Sequence, residues 1–233
     1  MGRKSESIAF YITIVLIVLF LSLGSNQVAT VFSENSPIVR KHCIVIDPGH
    51  GGEDGGATSC SGILESQFNL EISQRLNALL QLLGYETKMI RNTDISIYKS
   101  GDSIAQKKVS DLKERVRITN ETNNSVLLSI HQNNFPDSKY SGAQIFYSAT
   151  EGSQELAKTL QSKFVSVLNK GSKRQCKKSS GIYLMEHIQC TGVLIECGFL
   201  SNPEEEYRLR SEEYQKKISC VIATAVGEYL SNT

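Results

Sequence analysis

Residues 43–50 read Cys43-Ile44-Val45-Ile46-Asp47-Pro48-Gly49-His50, a short β-branched run that stops at side chains able to bind a metal or move a proton. Two later stretches repeat the pattern. Ser125-Val126-Leu127-Leu128-Ser129-Ile130 ends at His131, and Val193-Leu194-Ile195 ends at Glu196. Runs this short and continuously apolar predict central strands of a buried parallel sheet. Ligands of open α/β sheets bind outside the carboxyl ends of the strands. Two histidines and a carboxylate, far apart in sequence, are therefore expected to converge on one crevice. That combination points to metal-assisted hydrolysis.

Working outward, Leu64, Phe68, Ile72, Leu76, Leu79, Leu80 and Leu83 recur at helical spacing, with Gly84 as a stop. Residues 86–90 predict a second strand. A polar stretch over 92–108 precedes a predicted helix at 109–122, and 142–147 predicts another strand. Further helices are expected at 153–169 and 212–230, the last with Ile218, Val221, Ile222, Ala225 and Leu230 on one face. Strands alternating with helices predict an α/β fold: a single-layer, mostly parallel twisted sheet flanked by helices, with its site at the carboxyl ends of the strands.

The chain has 233 residues, a net charge of +1 and 40% hydrophobic residues, the profile of a globular protein with no surface for a polyanion. No nucleic-acid motif is present. Arg3 and Lys4 precede an apolar run from Ile8 to Leu23 interrupted only by Thr13 and Ser22, the pattern of an export signal or a retained membrane anchor. The expected organisation is a signal or anchor over 1–24, a linker over 25–41 and a catalytic domain over 42–233, acting outside the cytoplasm at the cell envelope. Six cysteines, Cys43, Cys60, Cys176, Cys190, Cys197 and Cys220, show no regular spacing. Cys43 and Cys197 read as buried thiols; Cys176 and Cys190 flank a basic segment and are candidates to pair.

The Gly-rich loop 48–56 does not suit phosphate. Asp54 breaks the dinucleotide fingerprint, the P-loop Lys-Ser/Thr is missing, and Glu53 and Asp54 would repel an anion. Its glycines instead allow the backbone to wrap around His50. His50, Glu65 and His131 each have an ordinary structural explanation alone, Glu65 as an acidic residue favoured in the first turn of a helix. Together they form a His₂Glu set of the kind that holds catalytic zinc. Glu196, set between Leu194-Ile195 and Cys197-Gly198-Phe199, is expected to be largely buried, and a buried carboxylate needs a partner or a function.

Ile46-Asp47-Pro48-Gly49-His50-Gly51-Gly52, Glu65 before a long helix, Ser129-Ile130-His131-Gln132-Asn133 and Leu194-Ile195-Glu196-Cys197-Gly198-Phe199-Leu200-Ser201-Asn202 occur here in that order. The chain resembles the zinc-dependent N-acetylmuramoyl-L-alanine amidases of the amidase-3 family over residues 42 to 230. The resemblance implies zinc on His50, Glu65 and His131, Glu196 as catalytic acid/base, and hydrolysis of the amide between muramic acid and L-Ala of the peptidoglycan stem peptide. The short chain is most similar to spore-cortex members, which implies cortex maturation through muramic-lactam formation. Arg91 and Arg115 match family-like segments and read as ties between loops. Family members often carry proline before the last strand; Thr191-Gly192 stands there in this chain and is expected to loosen the approach to Glu196. A helical plug found in some relatives has no room between Tyr147 and the helix at Ser153.

Two other readings are open on the residues: a cysteine hydrolase using Cys197, and a membrane-tethered peptidoglycan-binding scaffold with an idle site. With three protein ligands for zinc and no wall-binding module, a helper envelope protein is a further expected partner. The basic segment 170–178 is expected to be a solvated loop, or to face stem-peptide carboxylates. Asn120-Glu121-Thr122 fits a glycosylation sequon by chance.

Overall fold

The computed structural model describes residues 42–232; the expected anchor and linker over 1–41 lie outside them. Six strands form one sheet: β1 (Cys43–Pro48), β2 (Glu86–Met89), β3 (Ser125–Asn133), β4 (Gln144–Tyr147), β5 (Lys177–Lys178) and β6 (Thr191–Phe199), in the order β2-β1-β3-β6-β4-β5. The first four strands in that order run parallel, β4 is antiparallel to β6, and β5 is parallel to β4. The sheet is thus mostly parallel, as the uninterrupted apolar runs predict.

The helices are α1 (Glu65–Leu82), α2 (Ile104–Asn120), α3 (Ser153–Val167), α4 (Tyr183–His187), α5 (Pro203–Leu209) and α6 (Glu212–Ser231). One face of the sheet presents Ile44, Ile46, Val126, Leu128, Ile130, Val193, Ile195 and Cys197 to α1, α3 and α6, all in one large apolar cluster. The other presents Val45, Leu127 and Leu194 to a smaller cluster that includes Leu184 and Met185 of α4. Alternate strand residues therefore go to opposite faces even where the sequence shows no alternation.

Three expectations need correction here. Helix α2 starts at Ile104 rather than near 109. Ser103 accepts a hydrogen bond from the Gln106 amide and the Gln106 side chain accepts one from the Ser103 amide, a capping box that starts a helix inside the polar stretch. Thr191 and Gly192 lie within β6 and do not loosen it. The Gly192 amide donates to Ser153 Oγ at 2.9 Å, and a Cβ at Gly192 would stand 2.2 Å from Ile188 Cδ1. All six cysteines are free. Cys176 packs against the large cluster and Cys190 against the small one, so the sheet separates them.

The connection from β4 to α3 is short, with no inserted helix. No helix among the described residues is long and apolar enough to cross a membrane. Asn120 donates from its side chain to the His187 carbonyl and accepts from the Gln189 amide, so the sequon asparagine serves the α2–α4 contact.

Candidate metal centre

Strand alternation decides what meets at the carboxyl edge. Asp47, Ser129, His131, Leu194 and Glu196 all fall on the small-cluster face, where they line a cavity of about 410 Å³. His131 and Glu196 are direct partners across β3 and β6. The register shifts just beyond them, between His131 and Asn133, and bulges of this kind commonly re-aim side chains beside sites.

His50 enters from the loop after β1 in the left-handed region, at φ 61°, a conformation few non-glycine residues adopt and one that clusters at functional sites. Glu65 is the first residue of α1 and is 4% exposed. Its carboxylate accepts from the Ala57 amide at 3.0 Å and from the Gln132 amide at 3.2 Å. It also lies 3.2 Å from His50 Nε2 and 2.9 Å from His131 Nδ1. One donor atom from each of His50, Glu65 and His131 lies within 4.8 Å of the other two.

Two glycines are required for this approach. A Cβ at Gly49 would sit 2.2 Å from His131 Nε2. One at Gly56 (φ +69°) would sit 2.7 Å from Glu65 Oε2 and from His50 Cδ2.

The donor set fits a divalent metal. Two imidazoles and a carboxylate are a known catalytic zinc set. The second nitrogen of His50 faces Asp54 Oδ2 at 2.9 Å, the outer carboxylate that orients metal-binding histidines. Burial lowers the pKa of His50, but Glu65 and then Asp54 outweigh it and raise it to about 9. Burial also opposes ionisation of Glu65, yet His131 and His50 hold its carboxyl far below the usual range. The Glu65 carboxylate thus stands between two imidazoles, the place a cation would take.

Glu196 differs. Burial pushes it up to about 7, with His131 pulling the other way and Glu65 adding to the rise. Its Oε2 is buried and has no hydrogen-bond partner among the described residues. A carboxyl group near neutrality, one strand from the donor set, can take and return a proton.

The arginines frame the site. Arg115 pairs with Asp47, donates to the His50 carbonyl at 2.7 Å and to that of Pro48 at 3.0 Å, while Ser129 donates to Asp47 at 2.7 Å. Arg91 is buried and donates to the carbonyls of Pro48, Gly49, Ser66 and Thr93. Both tie loops together, as read from the sequence. What the sequence reading missed is the pair Lys107 and Lys108 on α2. Lys108 holds Asp54 at 2.8 Å and Lys107 holds Glu53 at 2.9 Å. The basic segment 170–178 does not line this cavity; its Lys177 and Lys178 form the far edge strand. Cys197, 1% exposed, packs into the large cluster on the other face from Glu196, and burial pushes its thiol well above the ordinary range. That is the opposite of an activated nucleophile.

The mostly parallel sheet thus carries a His–Glu–His set and a separate carboxyl group at its carboxyl edge, an arrangement whose chemistry suits hydrolysis. The Amidase_3 family, described as N-acetylmuramoyl-L-alanine amidase, matches residues 44–228. The germination-specific N-acetylmuramoyl-L-alanine amidase of Bacillus subtilis is 37% identical over 190 residues, covering 81% of this chain and 79% of that protein. Among solved structures, the CwlD amidase of Clostridioides difficile in complex with the GerS lipoprotein is 38% identical with a TM-score of 0.79, covering 82% of this chain and 99% of that one. An N-acetylmuramoyl-L-alanine amidase of Clostridium difficile 630 gives 31% and 0.72, with coverage of 83% and 99%. The chain belongs to the amidase-3 family of N-acetylmuramoyl-L-alanine amidases. It is a peptidoglycan hydrolase, and its substrate bond joins N-acetylmuramic acid to the L-alanine of the stem peptide.

Proposed function

We propose that the amidase is zinc-dependent, that His50, Glu65 and His131 hold the metal, and that Glu196 is the catalytic acid/base. The observation that carries this is the convergence of the three donors within 4.8 Å beside Glu196, a buried carboxyl raised to about 7. Zinc held by these residues would supply Lewis acidity at the amide carbonyl and ease deprotonation of water at neutral pH. Glu196 takes the proton released by the attacking water and delivers it to the departing α-amine of L-Ala. Asp54 keeps His50 protonated on Nδ1, so that Nε2 faces Glu65 and the metal. Arg115 and Arg91 fix the carbonyls of residues 48–50 and thereby the entry of the His50 loop.

The domain over 42–233 is the catalytic unit. The apolar run at 8–23 exports or anchors it, and it works outside the cytoplasm on the cell envelope. Likeness to a germination-specific amidase supports a role in spore-cortex maturation. Likeness to an amidase solved with a lipoprotein supports a helper envelope protein as partner.

The test is mass spectrometry of muropeptides released from purified peptidoglycan by the chain with and without Zn²⁺, beside Glu196→Ala. Zinc-dependent release of stem peptides with a free L-Ala amine, absent in the variant, is expected. Full release by metal-free enzyme would remove the zinc assignment. Undiminished release by the variant would remove Glu196.

A further inference from the structure

Beyond the cavity, β3 and β6 run into a second feature that the hydrolytic reading does not use. The loop after β3 presents Phe135, 48% exposed, and Tyr140, 40% exposed. Their rings meet edge to face with centroids 4.9 Å apart, and Tyr140 in turn stacks over Phe199, the last residue of β6, at 6.3 Å and 27°. Arg174 lies over Phe199 and Lys139 over Tyr140.

The backbone that carries this pair is fastened. The Phe135 amide donates to Ser201 Oγ, and Asn202 Nδ2 donates to the Ser138 and Tyr140 carbonyls. At the loop's base, Glu205, 2% exposed, accepts from the amides of Gly142 and Phe199. A buried carboxylate thus fixes the backbone at the base of the loop, at Gly142 and Phe199.

The loop that carries the rings leaves β3 at the same carboxyl edge as the site, and neither ring lines the cavity itself. His131 and Glu196 are paired across the strands, and Asn133 pairs with Phe199, two residues or roughly 7 Å further along β3. The scissile amide hangs from a sugar, so a sugar ring must stand beside the cavity and the glycan must continue past it. We infer that Phe135 and Tyr140 form a saccharide subsite that stacks the glycan strand next to the hydrolysed muramoyl unit. The inference rests on the peptidoglycan reading of the site but not on its metal.

The chemistry selects this ligand over a protein. Two rings are far less than the ~800 Å² per partner of a standard protein interface, and their neighbours Asn134, Ser138, Lys139 and Ser141 are exposed and polar. An amino sugar has the matching form: an apolar C–H face for the rings and a rim of hydroxyl and acetamido groups for the polar surround.

The test uses the full chain with Phe135→Ala/Tyr140→Ala, and with Phe135→Tyr, which keeps a ring. On long glycan strands bearing stem peptides, the double variant is expected to raise KM about tenfold, a loss of about 1.4 kcal/mol, with kcat unchanged. On a single muramoyl peptide neither constant should change, and Phe135→Tyr should behave as wild type on both. Titration with a peptide-free tetrasaccharide of alternating N-acetylglucosamine and N-acetylmuramic acid, followed by NMR, should lose its shifts in the double variant only. If the double variant unfolds, Phe135→Ser alone removes an exposed ring and serves in its place. An unchanged KM on long strands, or an equal rise on the single-sugar substrate, would overturn the subsite. So would unchanged tetrasaccharide binding with lost affinity for an envelope protein, which would assign the rings to a partner. Absence of turnover by wild type would count against the catalytic assignments alone, since tetrasaccharide binding is read separately.

Discussion

The two faces of the sheet are built from the same strands by different means. On one, Ile44, Ile46, Leu128, Ile130 and Ile195 pack without exposure against the long helices α1, α3 and α6. On the other, the apolar cluster is small and gives way toward the carboxyl edge to Asp47, Ser129, His131 and Glu196. The first face is held by burial, which is non-directional and tolerant of volume-conserving change. The second is held by directed polar bonds among Asp47, Arg115, Ser129 and the carbonyls of residues 48–50, which fix geometry but fail badly when one member is removed. Stability is concentrated on one side and chemistry on the other, one residue apart along each strand.

The sharpest way to break that contrast uses the neighbours Ile195 and Glu196. Glu196→Gln is expected to cut kcat by about 10²- to 10⁴-fold while leaving zinc content and the circular dichroism of the fold intact. Ile195→Ala should cost about 2–5 kcal/mol in denaturant unfolding, with kcat of the folded fraction near wild type. Similar kinetic losses in both would mean that the faces are not separable.

Next comes the polar frame. Arg115→Met leaves Asp47 buried without its cation and is expected to cost about 3 kcal/mol. Asp47→Asn/Arg115→Met together should recover part of that loss, read as a coupling energy in a double-mutant cycle. Burial would raise the Asp47 carboxyl, but Arg115 and then Ser129 hold it low. Its stabilisation is therefore present above the ordinary carboxylate range and lost as pH falls through the folded pKa. Additive losses would reduce the frame to independent surface-like contacts.

How much of this contrast the sequence carries depends on the residue. Glu196 is legible by itself, because a carboxyl group set between Leu194-Ile195 and Cys197-Gly198-Phe199 needs a partner or a function. His50, Glu65 and His131 each have an ordinary explanation alone and are legible only as a set and through the ordered family motifs. The structure brings these three within ligand distance and sets Glu196 opposite His131. The two faces were not legible as such. Val45 and Leu127 are apolar on the small-cluster side, so β1 and β3 read as continuous runs, and Asp47, Ser129 and His131 mark only the polar edge. The start of α2 was hidden because its capping box, Ser103 and Gln106, lies inside a polar stretch and its first turn leaves Ile104 and Ala105 exposed rather than on an apolar face. Helices α4 and α5 are too short to show a period. Lys107 and Lys108 were unremarkable within a polar stretch, and only folding brings them over the His50 loop.

A milder expectation concerns pH in the metal-free protein. Glu196 is raised by burial to about 7, above its unfolded value, so folding favours its protonated form. His50 is raised to about 9 against burial by Glu65 and Asp54, so its stabilisation is fully present below its unfolded value and lost as pH climbs toward 9. Both groups make stability fall as pH rises, between about 4.5 and 9. Melting temperature should decline across that window, Glu196→Gln should flatten the lower half, and saturating zinc should flatten the upper half. A melting temperature constant from pH 5 to 9 would remove the claim that this face stores its charge in the donor set.

The smallest effect tests how far the polar face extends. Lys108 grips Asp54 Oδ1 at 2.8 Å while Oδ2 faces His50 Nδ1 at 2.9 Å, a chain of two contacts from solvent to a proposed metal ligand. Outer partners of metal-binding histidines are typically worth 10- to 100-fold in affinity; Lys108 stands one step further out and is half exposed. Lys108→Met is therefore expected to weaken zinc binding about threefold by chelator competition, and Asp54→Asn by about tenfold or more. If Lys108→Met binds zinc as wild type does while Asp54→Asn does not, the lysine is one of the many surface pairs that contribute nothing measurable. The polar face would then end at Asp54, with the loop around His50 held by its buried arginines and by Ser96 and Asp94 at Gly51 and Gly52.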